Sequence, residues 1–142
     1  MVPEVDEVAR EIVTLMDEVV GRVWAQFQAR VAEFSLSGPE AKALQMLDLE
    51  RALSMRELSN RLHANPSNVT VAIARLEGRR LVHRQDGEDR RVRSVQLTEA
   101  GVELRQRLAD RLARDHPALK GLSPAERLAL RDLLRTISRQ RE

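Results

Sequence analysis

The chain contains no cysteine, which excludes disulfides, thiolate metal sites and thiol-based redox sensing. Its aromatic residues are only Trp24, Phe27 and Phe34. Aliphatic side chains must therefore fill the single core that a chain of 142 residues supports. No apolar run approaches the roughly 18 residues needed to cross a bilayer, and no signal-peptide pattern opens the sequence. A soluble, cytoplasmic protein is expected, without membrane contact. The serines have no histidine and acid at triad spacing, and no phosphate-binding glycine loop occurs. His63, His83 and His116 stand singly. An enzyme is not expected, nor a metal site, nor any cofactor.

What is present is charge, unevenly placed. The formal net charge is only +2, but residues 1–50 carry −6, residues 51–96 carry +5 and residues 97–142 carry +3. A basic block between less basic flanks suits a polyanionic partner.

Hydrophobic periodicity divides the chain. Val5, Val8, Ile12, Leu15, Val19, Val23, Phe27, Val31 and Phe34 recur at steps of three and four, which predicts one long amphipathic helix. Such a helix exceeds what a small domain easily buries. Ser37 with Glu40, and Ser54 with Glu57, have capping-box spacing ahead of short apolar runs. His63-Ala64-Asn65 then forms a tight turn into Pro66-Ser67-Asn68-Val69-Thr70, where Asn65 suits a cap and Pro66 a first helical position. Two short helices joined by so tight a turn predict a helix-turn-helix.

In the second helix of that motif Val69, Ile73 and Leu76 point to the core. Ser67, Asn68, Thr70, Val71, Ala74 and Arg75 are left outward. That small, polar face lets a backbone approach base edges in a DNA major groove. A hairpin follows. Leu81, Val82, Val92, Val95 and Leu97 give the strand signal, and the turn around Gly87 carries Asp86, Glu88, Asp89, Arg90 and Arg91. A helix-turn-helix followed by a hairpin predicts a winged helix. Its wing tip would place Arg91 in a minor groove, with Asp89 holding the guanidinium. Thr98 caps a further helix through Leu104, Leu108 and Leu112. Ser123, Pro124 and Glu126 start the last one, with Leu130, Leu133, Leu134 and Ile137 on its stripe. The first and last two helices carry more apolar surface than the winged helix can cover, and a homodimer supplies the missing partner.

The helix "SNVTVAIARLE" and the stretch "RQDGEDRRVRSVQLTEAG", in this order of helices, resemble the MarR (multiple-antibiotic-resistance regulator) family over nearly the whole chain. The resemblance implies a mainly α fold with a small β-hairpin wing. A winged helix-turn-helix over 37–98 would be flanked by dimerisation helices over 1–35 and 99–142, all in one domain. It implies a homodimeric repressor of a pseudo-palindromic double-stranded DNA operator, released by a small molecule such as an aromatic acid. Asp89 and Arg91 would be the wing pair, with Arg90 beside them. Ser67, Asn68, Thr70, Val71 and Arg75 would lie on the reading helix, and Arg84 near phosphates. Trp24 and Phe27 would line the ligand crevice, although both also suit plain core. Two positions depart from the family pattern. Val71 stands where many relatives have arginine, and a valine cannot read guanine but can touch a thymine methyl. Arg80 stands where a glycine is usual, which moves the left-handed helix cap to Gly78. The competing function is a winged helix that binds proteins through the same face, against which the charge distribution argues.

Overall fold

Short-range signals set the helix starts. The computed structural model describes residues 6–86 and 93–140. The chain runs through α1 (Glu7–Ala32), α2 (Gly38–Met46), β1 (Leu53–Ser54), α3 (Met55–Leu62) and α4 (Pro66–Gly78). β2 (Val82–Asp86), β3 (Arg93–Leu97), α5 (Glu99–Ala113), a 3₁₀ turn (Pro117–Leu119) and α6 (Pro124–Arg139) follow. Ser37, Ser54 and Ser123 are extended residues whose hydroxyls accept from the N–H of Glu40, Glu57 and Glu126, while each glutamate side chain accepts back from the serine N–H. Asn65 caps α4 by accepting from the Ser67 N–H, and Pro66 follows it at the first position. Each such cap contributes about 1 kcal/mol.

The helix ends are less ordinary. With only six glycines in the chain, α1, α3 and α4 end in Ser35, His63 and Arg80, at φ 56°, 48° and 60°. In each case the next residue donates back across the last turn: Leu36 to Val31 at 3.2 Å, Ala64 to Ser59 at 3.2 Å and Leu81 to Leu76 at 3.0 Å. These are Schellman closures, and the buried pairs Val31–Leu36 and Leu76–Leu81 supply the apolar contact that accompanies them. The placement of the left-handed residue corrects the sequence expectation. Gly78 is the last helical residue of α4, and Arg80 takes the positive φ. The Schellman bonds fix that conformation two residues past the helix, and an L-residue tolerates it at about 1–2 kcal/mol.

The wing's two strands pair as expected, and a short third strand joins them in the order β1-β3-β2. Leu53 and Ser54 pair with Val95 and Ser94, and Val82 through Asp86 pair with Leu97 back to Arg93, all antiparallel. Ser54 must be extended to cap α3, so the two residues entering that helix lie ready to pair.

The elements fall into two units. Trp24–Leu112 holds the winged helix with the last turns of α1 and nearly all of α5. Its core is aliphatic, with Leu44, Leu47, Leu53, Leu58, Ile73, Leu76, Val82, Val95 and Leu108 fully buried. Arginine donors close helix ends inside it. Arg30, only 4% exposed, donates to the carbonyls of Arg111 and Leu112 at 2.8 and 2.9 Å. Arg79 donates to those of Ser35 and Phe34 at 3.0 and 3.1 Å, and Arg105 to that of Leu47 at 2.6 Å. These are carbonyls that a helix leaves without an internal partner, and a guanidinium there also opposes the helix dipole.

The stretch from β3 into α5 explains "LTEAG". Leu97 is core. Thr98 donates its backbone N–H to the Leu81 carbonyl at 3.0 Å and its hydroxyl to the Arg80 carbonyl at 2.7 Å, and the same hydroxyl accepts from the Gly101 N–H at 3.0 Å. A Cβ on Gly101 would collide with the Leu81 carbonyl oxygen. The motif thus locks the start of α5 against the loop that leads into β2.

The other unit consists of the described parts of Met1–Val23 and Ala113–Glu142. Its apolar stripes are uncovered. Val8, Ile12, Leu15, Met16 and Val19 on α1, and Leu128, Leu133, Leu134 and Ile137 on α6, are all exposed. No helix among the described residues is long and apolar enough to cross a membrane.

Candidate nucleic-acid interface

The two-faced pattern of the second helix-turn-helix helix holds residue by residue in α4. Val69, Ala72, Ile73 and Leu76 are buried, whereas Ser67, Asn68, Thr70, Val71, Ala74 and Arg75 are exposed. Ala72 is the one buried position that the sequence reading omitted. The hydroxyls on this face are already oriented. Ser67 donates to the Asn65 side-chain oxygen at 2.8 Å, and Thr70 donates to the Pro66 carbonyl at 2.9 Å. Asn68 makes no side-chain hydrogen bond among the described residues, so its amide is available in full. Val71 is 51% exposed, an apolar side chain that the fold does not use.

The basic residues fare differently. Arg75 lies 3.6 Å from the carboxylate of Glu40, a buried acid that the sequence reading treated only as a capping residue. Arg84, on β2, is drawn to Glu77 at the end of α4, with its Nη2 3.1 Å and its Nε 3.3 Å from the carboxylate. The Arg84 guanidinium holds the Glu77 carboxyl below the ordinary carboxylate range, against a smaller opposing effect of burial. Each of these arginines is thus paired with an acid of this chain. Arg56 on α3 and Arg93 on β3 are exposed, with no side-chain hydrogen bond or ion pair among the described residues, although the Arg93 charge helps to lower the Glu77 carboxyl. Neither was singled out from the sequence, although both lie in the basic block. Asp89, Arg90 and Arg91, the wing-tip candidates, lie outside the described residues, as does the turn at Gly87.

Trp24 and Phe27 come together. Their rings stack with centroids 5.4 Å apart, and the Lys42 ammonium sits 4.7 Å from the Phe27 centroid. A Cβ on Gly38, at the start of α2, would lie 3.5 Å from the Trp24 ring and 3.8 Å from that of Phe27. Phe27 is buried and belongs to the core, while Trp24 is 45% exposed. Among the described residues no three His, Cys, Asp or Glu side chains assemble as a metal site.

Comparison with known proteins agrees with this geometry. Residues 36–92 match the sequence model of the MarR family. The fold is similar to that of apo MarR from E. coli, with 20% identity, 94% of this chain and 98% of that one covered, and a TM-score of 0.79. It is similar to a MarR family protein from Bacillus stearothermophilus, with 24% identity, coverage of 96% and 97%, and a TM-score of 0.82. It is also similar to BpsR from Bordetella bronchiseptica, with 28% identity, coverage of 90% and 98%, and a TM-score of 0.72. The structure of that last protein was described as a mechanism for regulation of DNA binding by 6-hydroxynicotinic acid. No curated protein matches the chain significantly.

Proposed function

We propose that this chain, which carries the MarR family's winged-helix segment over residues 36–92 and the fold of that family's regulators, is a homodimeric transcriptional repressor that a small aromatic acid releases from a pseudo-palindromic DNA operator. DNA binding is carried chiefly by the outward face of α4. Its reading residues are Ser67, Asn68, Thr70 and Val71, with Arg75 at the edge. They are small, exposed and free of the Glu/Lys mixture of a merely solvated helix, which suits close approach to base edges. Arg84, Arg56 and Arg93 flank the face as phosphate-range cations. Asp89, Arg90 and Arg91 would extend the contact into the adjacent minor groove.

The dimer rests on the uncovered stripes of α1 and α6. Exposed valines, leucines and isoleucines at helical spacing need a partner surface, and helices over 1–35 and 99–142 would provide it from a second copy. The ligand reading rests on Trp24, Phe27 and Lys42. A flat ring can stack beside the exposed indole while its carboxylate meets the ammonium.

Gel shifts against a genomic fragment library with competitor DNA, paired with sedimentation, test the first two points. Retention of discrete fragments by a dimer supports them. Indifference to sequence, with protein partners captured in place of DNA, would favour the interaction-module alternative, and a well-folded monomer at micromolar concentration would remove the dimer. Trp24 is the only tryptophan, so its fluorescence reports ligand directly. Quenching by 6-hydroxynicotinic acid, lost in Lys42→Ala, is the expected result.

A further inference from the structure

We infer that α4 reads an A·T-rich half-site, with Val71 against the 5-methyl of a thymine and Asn68 on an adenine, and that guanine goes unread by this helix in the major groove. The inference deepens the DNA-binding reading above and rests on it. It follows from what each side chain on the face still has to offer.

A hydroxyl has one hydrogen. Ser67 has spent its own on Asn65, and Thr70 on Pro66. Outward, both present lone pairs, which match the amino donors adenine N6 and cytosine N4 and do not match the paired acceptors of guanine, O6 and N7; the choice between the two donors falls to Asn68 and Val71. Bidentate reading of guanine O6 and N7 is the part of arginine or lysine. The one cation on the exposed face of α4 is Arg75, which lies 3.6 Å from Glu40. Glu40 is 6% exposed. Drawing Arg75 to a base would leave that buried carboxylate without its counter-charge, which is costly. The remaining donor is the Asn68 amide, whose paired donor and acceptor fit adenine N6 and N7.

The rest of the face is hydrocarbon. Val71 is 51% exposed, and Ala74, one turn on, is exposed beside it. Among the major-groove edges of the four bases, thymine alone carries a methyl group. An apolar side chain set among hydroxyl acceptors and one amide is complementary to thymine and adenine, and to no other pair of bases so fully.

The full-length protein should first be used to select sites from a random duplex library. Thymines of the selected site are then replaced one at a time by uracil, which pairs identically but lacks the methyl. The expected result is an A·T-rich half-site in which one uracil weakens binding about fourfold, the value of one buried methyl. Val71→Ala should bind the thymine site about fourfold more weakly and be indifferent to that uracil. Val71→Arg should bring guanine into the selected sequence. Selected half-sites whose major-groove contacts centre on guanine, or uracil substitutions that leave affinity unchanged at every thymine, would overturn the inference while leaving the protein a DNA-binding regulator. Failure to enrich any duplex would instead overturn the regulator reading, and this inference with it.

Discussion

Glu77 at the end of α4 accepts from Arg84 on β2 through three groups: Nη2 at 3.1 Å, Nε at 3.3 Å and the backbone N–H at 3.3 Å. The pair ties α4 to β2, the first strand of the wing. Glu77→Gln tests it, because two simple accounts disagree on the sign. Counting charge, the loss of an acid beside DNA tightens binding to every sequence. If the tie positions helix and wing together, binding to the best operator weakens by about threefold to tenfold, while binding to random DNA holds or improves slightly. Operator and random duplexes titrated in the same buffer distinguish them, and the second outcome is expected.

Gly101→Ala should destabilise by about 2 kcal/mol or more, although alanine normally gains about 1 kcal/mol over glycine within a helix. The new methyl would be driven into the Leu81 carbonyl, which already accepts from Thr98. Gly78→Ala is the control. Apart from its chain neighbours and the local helix backbone, no described atom lies within 4 Å of its Cβ position, so that variant should be neutral or slightly stabilised. Urea denaturation of both decides the matter.

Acid should destabilise the fold through named pairs. The carboxyls of Glu33, Asp48 and Glu77 are held below their ordinary values chiefly by Arg111, Arg61 and Arg84, and those of Glu57 and Glu126 chiefly by the capping N–H groups of Ser54 and Ser123. A lowered carboxyl favours the folded state above its unfolded value, and that contribution is lost as pH falls through the lowered one. Unfolding midpoints should therefore stay level from neutral pH down to about 5 and decline steadily below about 4.5. A midpoint unchanged at pH ~3 would show that these pairs do not contribute.

At the wing tip, Asp89→Ala separates a positioning acid from a merely soluble turn. If Asp89 holds Arg91 for a minor groove, the variant binds operator more weakly despite losing a negative charge. Arg91→Ala should weaken binding too and reduce the salt slope by about 0.9. Binding by Asp89→Ala as tight as the parent's, or tighter, would assign the tip acids to turn formation alone.

Helix starts and the two faces of α4 were legible because caps and periodicity are local. Ser37, Ser54, Asn65, Thr98 and Ser123 each find their partners within three residues. Three features escaped because only the fold creates them. β1 is two residues long, too short to show an alternating pattern. The left-handed residue after α4 fell on Arg80 because the bonds to Glu77 and Leu76 select the position, whatever side chain occupies it. The partner of Arg75, Glu40, is legible in the sequence only as a cap, and Glu77, the partner of Arg84, lies across the turn between α4 and β2. Arg30 did leave a trace: a lone cation between Phe27 and Val31 on an apolar stripe must find acceptors inside.

The locks around Leu81 have a bearing on how the repressor proposed above would be switched off. Glu77 with Arg84, Thr98 with Arg80, and Gly101 under Leu81 join α4, β2 and the start of α5 into one bonded unit. If the chain is the inducible dimer proposed above, an inducer finds no unpaired joint there to bend and would act by changing the phase between two intact heads, whose half-sites recur every ~34 Å along the DNA axis. Inserting base pairs between the operator halves would then mimic the inducer, and a spacer of matching altered length would be bound best by the liganded protein.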